Sequence, residues 1–308
     1  MTAPALIALA HGSRDPRSAA TINALTELVA CMRPDLRVAP AFLDLSEPRF
    51  DATVDRLVAE GHQEIVVVPL LLSEAYHARV DVPAAIESAA TRHDGIRIQA
   101  TRVLGLESAF FHVLDSRLRD ALSKNRVREL DALVLAGAGS SDPIANAAIS
   151  RAARAWGGHP KLPTIAAFAS SVPPAAGEAV RSHRADGRRH IAVGMLFLAP
   201  GVLPDRVAEL ALEAGAVAVA EPLGADAEVA RVILARYAVG AVELVPLEQL
   251  FACLLYTSDA ADDLLCVGLG GRRIIKKKKQ NTNTNTYTVQ PYNKRNLTPN
   301  TYTIYTTT

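Results

Sequence analysis

Leu6-Ile7-Ala8-Leu9-Ala10-His11-Gly12-Ser13-Arg14-Asp15-Pro16 reads as a short buried strand, a tight loop and a helix start. An unbroken apolar run of this length suits a strand covered on both faces. Asp15 fits the N-cap of the helix, and Pro16 fits its first position, where the missing N–H costs nothing. His11 is left at the mouth of the strand, before a glycine that lets the backbone come close to a ligand. A histidine there can bind a metal or move a proton. Taken alone, it is also an ordinary solvated loop histidine.

Outward from this stretch the same grammar recurs. Strands are expected near 4–10, 36–43, 64–72 and 96–102, with amphipathic helices near 17–32, 49–60, 80–92 and 106–123. The second half repeats the scheme, with strands near 131–137, 163–169, 190–198 and 216–221 and helices near 143–156, 174–185, 204–214 and 226–238. Such alternation predicts an α/β chain of parallel sheets with helices on both faces.

The halves also match in detail. Ala10 through Pro16 lines up with Gly137 through Pro143, Phe42 through Pro48 with Phe168 through Pro174, and Ile65 through His77 with Ile191 through Leu203. The offset stays near 126 residues, so the chain reads as an internal duplication. Two domains are expected, 1–125 and 126–248, with the break in the polar stretch Ser123 to Arg128. The repeat acts as an internal control. Asp15/Asp142 and Pro16/Pro143 are kept in both copies, as helix starts would be. His11 faces Ala138, Glu47 faces Pro173 and His77 faces Leu203, so three metal-competent side chains survive in the first copy alone.

Those three should lie together. In an open parallel sheet, ligands sit outside the carboxyl ends of the strands. His11 follows the first strand, Glu47 the second and His77 the third. Two imidazoles and a carboxylate can hold a divalent transition ion with coordination positions left open. Each also has a plainer reading. Glu47 stands before Pro48, where it would favour the positive end of the next helix. His77 fits a loop or core position, and Glu74 a solvated neighbour. Arg14, Arg17, Arg49 and Arg79 share these loops, and arginine forks on one rim point to a carboxylate-bearing ligand. His62, His93, His112, His159, His183 and His190 have no such setting and read as structural or exposed.

The whole chain of 308 residues carries 33 basic and 32 acidic side chains for a net charge of +1, which calls for neither nucleic acid nor an acidic membrane surface. Cys31, Cys253 and Cys266 form no CxxC pair, so a disulfide framework is not expected and a reducing cytoplasm fits. The apolar runs are broken by Gly and Pro before they could span a bilayer. Gly137-Ala138-Gly139-Ser140-Ser141 lacks the GxxxxGK[ST] pattern of a nucleotide cradle. Residues 249–308 change character, from Cys253-Leu254-Leu255-Tyr256-Thr257-Ser258 to a lysine run and Asn-Thr alternation. They read as a disordered tail of translated adapter sequence, and no function is assigned to them.

The segments Ala10-His11-Gly12-Ser13-Arg14, Phe42-Leu43-Asp44-Leu45-Ser46-Glu47-Pro48 and Val68-Pro69-Leu70-Leu71-Leu72…His77…Asp81-Val82-Pro83 resemble the sirohydrochlorin chelatases. These are the class II, ATP-independent tetrapyrrole chelatases of siroheme and cobalamin synthesis. The resemblance extends over about residues 4–240 and is to the long, duplicated form. It implies two flavodoxin-like lobes with a cleft between them, in which Co²⁺ or Fe²⁺ is inserted into sirohydrochlorin without a nucleotide. By position, His11 and His77 would handle the metal with Glu47 as the accompanying acid. Ser13, Arg14, Arg49 and Arg79 would line the anionic tetrapyrrole. A cytoplasmic enzyme is implied, and a fused duplicate is expected to work as a monomer. The alternative is a carrier of the same fold that holds metal or tetrapyrrole without turnover.

Overall fold

The computed structural model describes residues 3–73 and 80–245. Four strands, β1 (Ala5–Ala10), β2 (Val38–Phe42), β3 (Glu64–Pro69) and β4 (Arg97–Ala100), form a parallel sheet in the order β2-β1-β3-β4. Their counterparts β5 (Ala132–Gly137), β6 (Thr164–Phe168), β7 (Ile191–Leu196) and β8 (Ala218–Val219) form a second in the order β6-β5-β7-β8. The identical order carries the sequence duplication into three dimensions. The helices are α1 (Pro16–Met32), α2 (Phe50–Ala59), α3 (Val82–Arg92), α4 (Ala109–Lys124), α5 (Pro143–Gly158), α6 (Ala176–Ala185), α7 (Val202–Glu213) and α8 (Ala227–Glu243). No helix among the described residues is long and apolar enough to cross a membrane.

The expected helix starts are present in both copies. Asp15 caps α1 by accepting the Arg17 N–H at 2.9 Å, and Asp142 caps α5 by accepting the Ile144 N–H at 2.8 Å. Strands run shorter than the apolar stretches suggested. β3 stops at Pro69 and β7 at Leu196, and β8 keeps two residues where six were expected. Past these ends the chain keeps scattered bonds to its neighbours: Leu70 gives its N–H to Leu9 O at 2.7 Å, and Phe197 O and Leu198 O each accept an N–H, from Leu223 and Gly224, at 2.9 Å. The tail 249–308 lies outside the described residues.

Alternation along β1 shows how each sheet is covered. Ala5, Ile7 and Leu9 pack with α2 and α3, whereas Leu6, Ala8 and Ala10 face a cluster that includes α1 and α8. The second sheet is built likewise, with α6 and α7 on one face and α4 and α5 on the other. The two helices ending the repeats are therefore exchanged. α4, from the first half, packs on β7 and β8, while α8, from the second, packs on β3 and β4.

Paired arginines fix this exchange. Arg117 of α4 donates from Nε and Nη2 to the Leu223 carbonyl at 3.2 and 2.9 Å. Arg236 of α8 donates from Nη2 to the Leu104 carbonyl at 2.9 Å and from Nε to the Val103 carbonyl at 3.0 Å. Charge-assisted bonds to carbonyls that would otherwise lose water offset the desolvation of both partners. Tyr237 of α8 is buried and donates its hydroxyl to Pro4 O at 2.8 Å. Tyr237→Phe should cost about 1 kcal/mol, read as a lower denaturant midpoint with an unchanged slope.

Candidate functional site

The carboxyl end of β1 sits at the centre of the first sheet, between β2 and β3. The chain leaves it through His11 and Gly12, and the loop after β2 folds over this exit. Leu43 and Asp44 donate their N–H groups to Ala10 O at 3.0 Å and His11 O at 2.9 Å. The approach is so close that Gly12, at φ +97°, has the Asp44 carbonyl 1.6 Å from where a Cβ would stand. Only glycine fits there. Gly139 at φ +80° makes the same approach to Ser170 O in the second lobe, so this turn is architecture common to both copies.

Ser46 completes the lock. Its hydroxyl accepts the Ser13 N–H at 3.1 Å and donates to Ser13 O at 2.9 Å. The Ser13 hydroxyl accepts the Asp15 N–H at 3.1 Å, as Ser140 does for Asp142 at 3.0 Å. A contact repeated in both lobes marks the Ser13 hydroxyl as a turn element.

His11 is half-buried, with Nδ1 3.2 Å from Gly12 O. In the tautomer that donates from Nδ1, the lone pair lies on Nε2, the nitrogen a metal would take. Glu47 accepts the Arg49 N–H through Oε2 at 2.9 Å, and Arg49 is the N-cap residue of α2. Glu47 thus occupies the helix-start position that its place before Pro48 suggested. A carboxylate has about four lone-pair sites, so this bond leaves capacity for a ligand.

Asp44 was not singled out in the sequence. Its carboxyl is held below the usual range by the Leu45 N–H and then by Arg49, whose Nη1 is 2.6 Å from Oδ1, with the nearby His11 adding to the effect. Its place three residues before Glu47, on a loop that closes over His11, is the only signal that could have found it.

The arginine rim is partly engaged. Arg49 pairs with Asp44, and Arg17 pairs with Asp15 and with Asp205 of α7. Arg14 has no carboxylate partner among the described residues. His77, Arg79 and Glu74 lie outside the described residues, so the structure brings together the His11 and Glu47 loops and says nothing of the third. No three metal-competent side chains cluster among the described residues. Of the remaining histidines, His183 is buried against Leu133 O at 2.9 Å and His93 pairs with Asp55 at 2.7 Å, as structural residues would.

The second lobe meets this rim through the start of α7. A Cβ on Gly201 would stand 3.9 Å from the Ser13 hydroxyl. Alongside, a groove of about 390 Å³ runs between Ala20, Thr21 and Ala24 of α1 and the loops carrying Pro200 and Pro222. Its lining includes neither His11 nor Glu47. Five large apolar side chains are exposed in the segments leaving strand ends: Leu45, Val80, Ile144, Val202 and Leu203.

The CbiX family model matches residues 5–121 and again 132–239. The chain is 28% identical over 206 residues to the sirohydrochlorin cobaltochelatase of Priestia megaterium, over 65% of this chain and 66% of that protein. It is 35% identical over 104 residues to the sirohydrochlorin ferrochelatase of Bacillus subtilis, over 33% of this chain and 38% of that protein. The solved structure of SirB from Bacillus subtilis with Fe3+ matches with a TM-score of 0.65 at 25% identity, covering 78% of this chain and 96% of that one. The chain thus spans about two thirds or less of the length of these curated relatives. With two tandem matches over most of its length and two sheets of one topology, the chain belongs to the CbiX, or sirohydrochlorin chelatase, family in its duplicated two-lobe form.

Proposed function

We propose that this chain inserts a divalent metal ion, Co²⁺ or Fe²⁺, into sirohydrochlorin without a nucleotide, with residues 1–125 as the half of the sequence that carries the reaction and 126–248 as its degenerate partner. The observation that carries this reading is the asymmetry at the rim. His11 and Glu47 stand at the ends of β1 and β2, where the second lobe has Ala138 and Pro173. A chain that kept two equal metal sites would not discard one set so completely.

Metallation requires water to be stripped from the ion and two pyrrole protons to be removed. Imidazole and carboxylate groups bind a metal in their deprotonated forms, and those same forms accept protons. In this reading His11 and His77 take the ion and Glu47 serves as the accompanying acid–base group. Arg14, Arg49 and Arg79 face the substrate carboxylates, and the Ser13 turn holds the His11 loop in place. The relatives carry cobalt in one name and iron in another, and the same N and O donors suit both ions.

Incubating the full chain with sirohydrochlorin and each ion in turn, followed by absorbance, tests the proposal. Insertion well above the spontaneous rate is expected. Tight binding of metal or macrocycle without turnover would instead establish a carrier.

A further inference from the structure

The two carboxylates on Arg17 are unlike one another. Asp15 lies two residues away and caps α1, and its side chain is only 13% exposed. It takes Arg17 Nε on both oxygens at 3.1 Å and Nη2 at 2.5 Å, which fixes the guanidinium on its own lobe. Asp205 comes from the first turn of α7 in the other lobe, and its side chain is 55% exposed. It meets the outer end of the guanidinium, with Oδ1 3.5 Å from Nη1 and Oδ2 on Nη2. That two-point approach is how a guanidinium takes a ligand carboxylate. An exposed pair of this kind contributes little and exchanges readily.

The location adds to this. Arg17 follows the His11–Asp15 loop directly. On α1 it shares a face with Ala20, Thr21 and Ala24, which line the groove between the lobes. Val202 and Leu203, both exposed, begin the helix that carries Asp205. The pair thus lies next to the His11–Asp15 loop on one side and, on the other, four residues along the chain from Gly201, whose Cβ position is 3.9 Å from the Ser13 hydroxyl.

We propose that Arg17 is a seat for a substrate carboxylate, filled by Asp205 of the second lobe until a ligand arrives. Protein and macrocycle then compete for one guanidinium, and binding breaks the ion pair that joins the lobes. This rests on the chelatase reading, which names the carboxylate-bearing macrocycle. Asp205 acts as an internal competitor, so its removal should improve binding.

Metal-free sirohydrochlorin titrated into the full chain, followed by its own fluorescence, provides the test. Asp205→Asn and Asp205→Ala should each bind about three- to fivefold tighter than wild type, and Arg17→Ala roughly tenfold weaker. In an Arg17→Ala background, Asp205→Asn should give no gain. Glu209→Gln, which removes an exposed charge one turn further along α7, should also give none. Unchanged or weaker binding by the Asp205 variants overturns the seat, as does a gain that persists without Arg17 or appears equally in Glu209→Gln. If wild type binds the macrocycle but inserts no metal, the chelatase reading fails while the seat is judged on affinities alone. If wild type inserts metal and the Asp205 variants bind no better, the seat fails and the chelatase reading stands. No binding by any variant rejects the seat.

Discussion

His11→Ala is expected to abolish metal insertion, lowering kcat/KM by at least about a hundredfold, while the protein stays folded. The imidazole stands at the end of the central strand β1, half-buried, with Nδ1 3.2 Å from the neighbouring Gly12 carbonyl. Truncation therefore leaves no cavity of the kind that unfolds a core. What it removes is a nitrogen donor and a proton acceptor at one atom. His77→Ala should behave alike, and the double variant should fall to the spontaneous rate with a wild-type melting curve. Insertion retained in the folded double variant would mean that the histidines do not handle the metal.

Gly12→Ala should be nearly as damaging, for a different reason. A Cβ at this residue would sit 1.6 Å from Asp44 O and 2.8 Å from Asp44 C. These are backbone atoms, and no side-chain rotation relieves the clash. The loop after β2 must move off β1, breaking the Asp44 N–H bond to His11 O and separating His11 from the Asp44–Glu47 loop. A cost of about 2–4 kcal/mol is expected, with loss of insertion. Gly61→Ala makes the matched control, since Gly61 has φ +92° with nothing near its Cβ position. It should cost about 1 kcal/mol and leave insertion intact. Equal melting temperatures for the two variants would show that the close approach does not constrain Gly12.

The reasons that made the fold readable also limit what could be read. Parallel strands buried on both faces are unbroken apolar runs, and Asp-Pro marks two helix starts, so elements and their order were evident from Leu6 to Pro16 and again from Leu133 to Pro143. Amphipathic periodicity shows that a helix has a buried face, but not which sheet receives it. The exchange of α4 and α8 was accordingly invisible, and with it the reciprocal bonds of Arg117 and Arg236. At the candidate site, His11 and Glu47 stand out in the sequence because the duplicate lacks them. Asp44 and the Ser13–Ser46 link arise from the way two loops cross, and Arg17–Asp205 joins residues 188 apart in the chain, distances that no local pattern records.

One measurement addresses the proposed convergence directly: crystals of the full chain soaked in Co²⁺, with data collected at the cobalt absorption edge. A single strong anomalous peak bonded to Nε2 of His11 and to His77, with the Glu47 carboxylate in or next to its coordination sphere, is the expected result. Cobalt bound elsewhere, or His11 and His77 on separate ions, would contradict it.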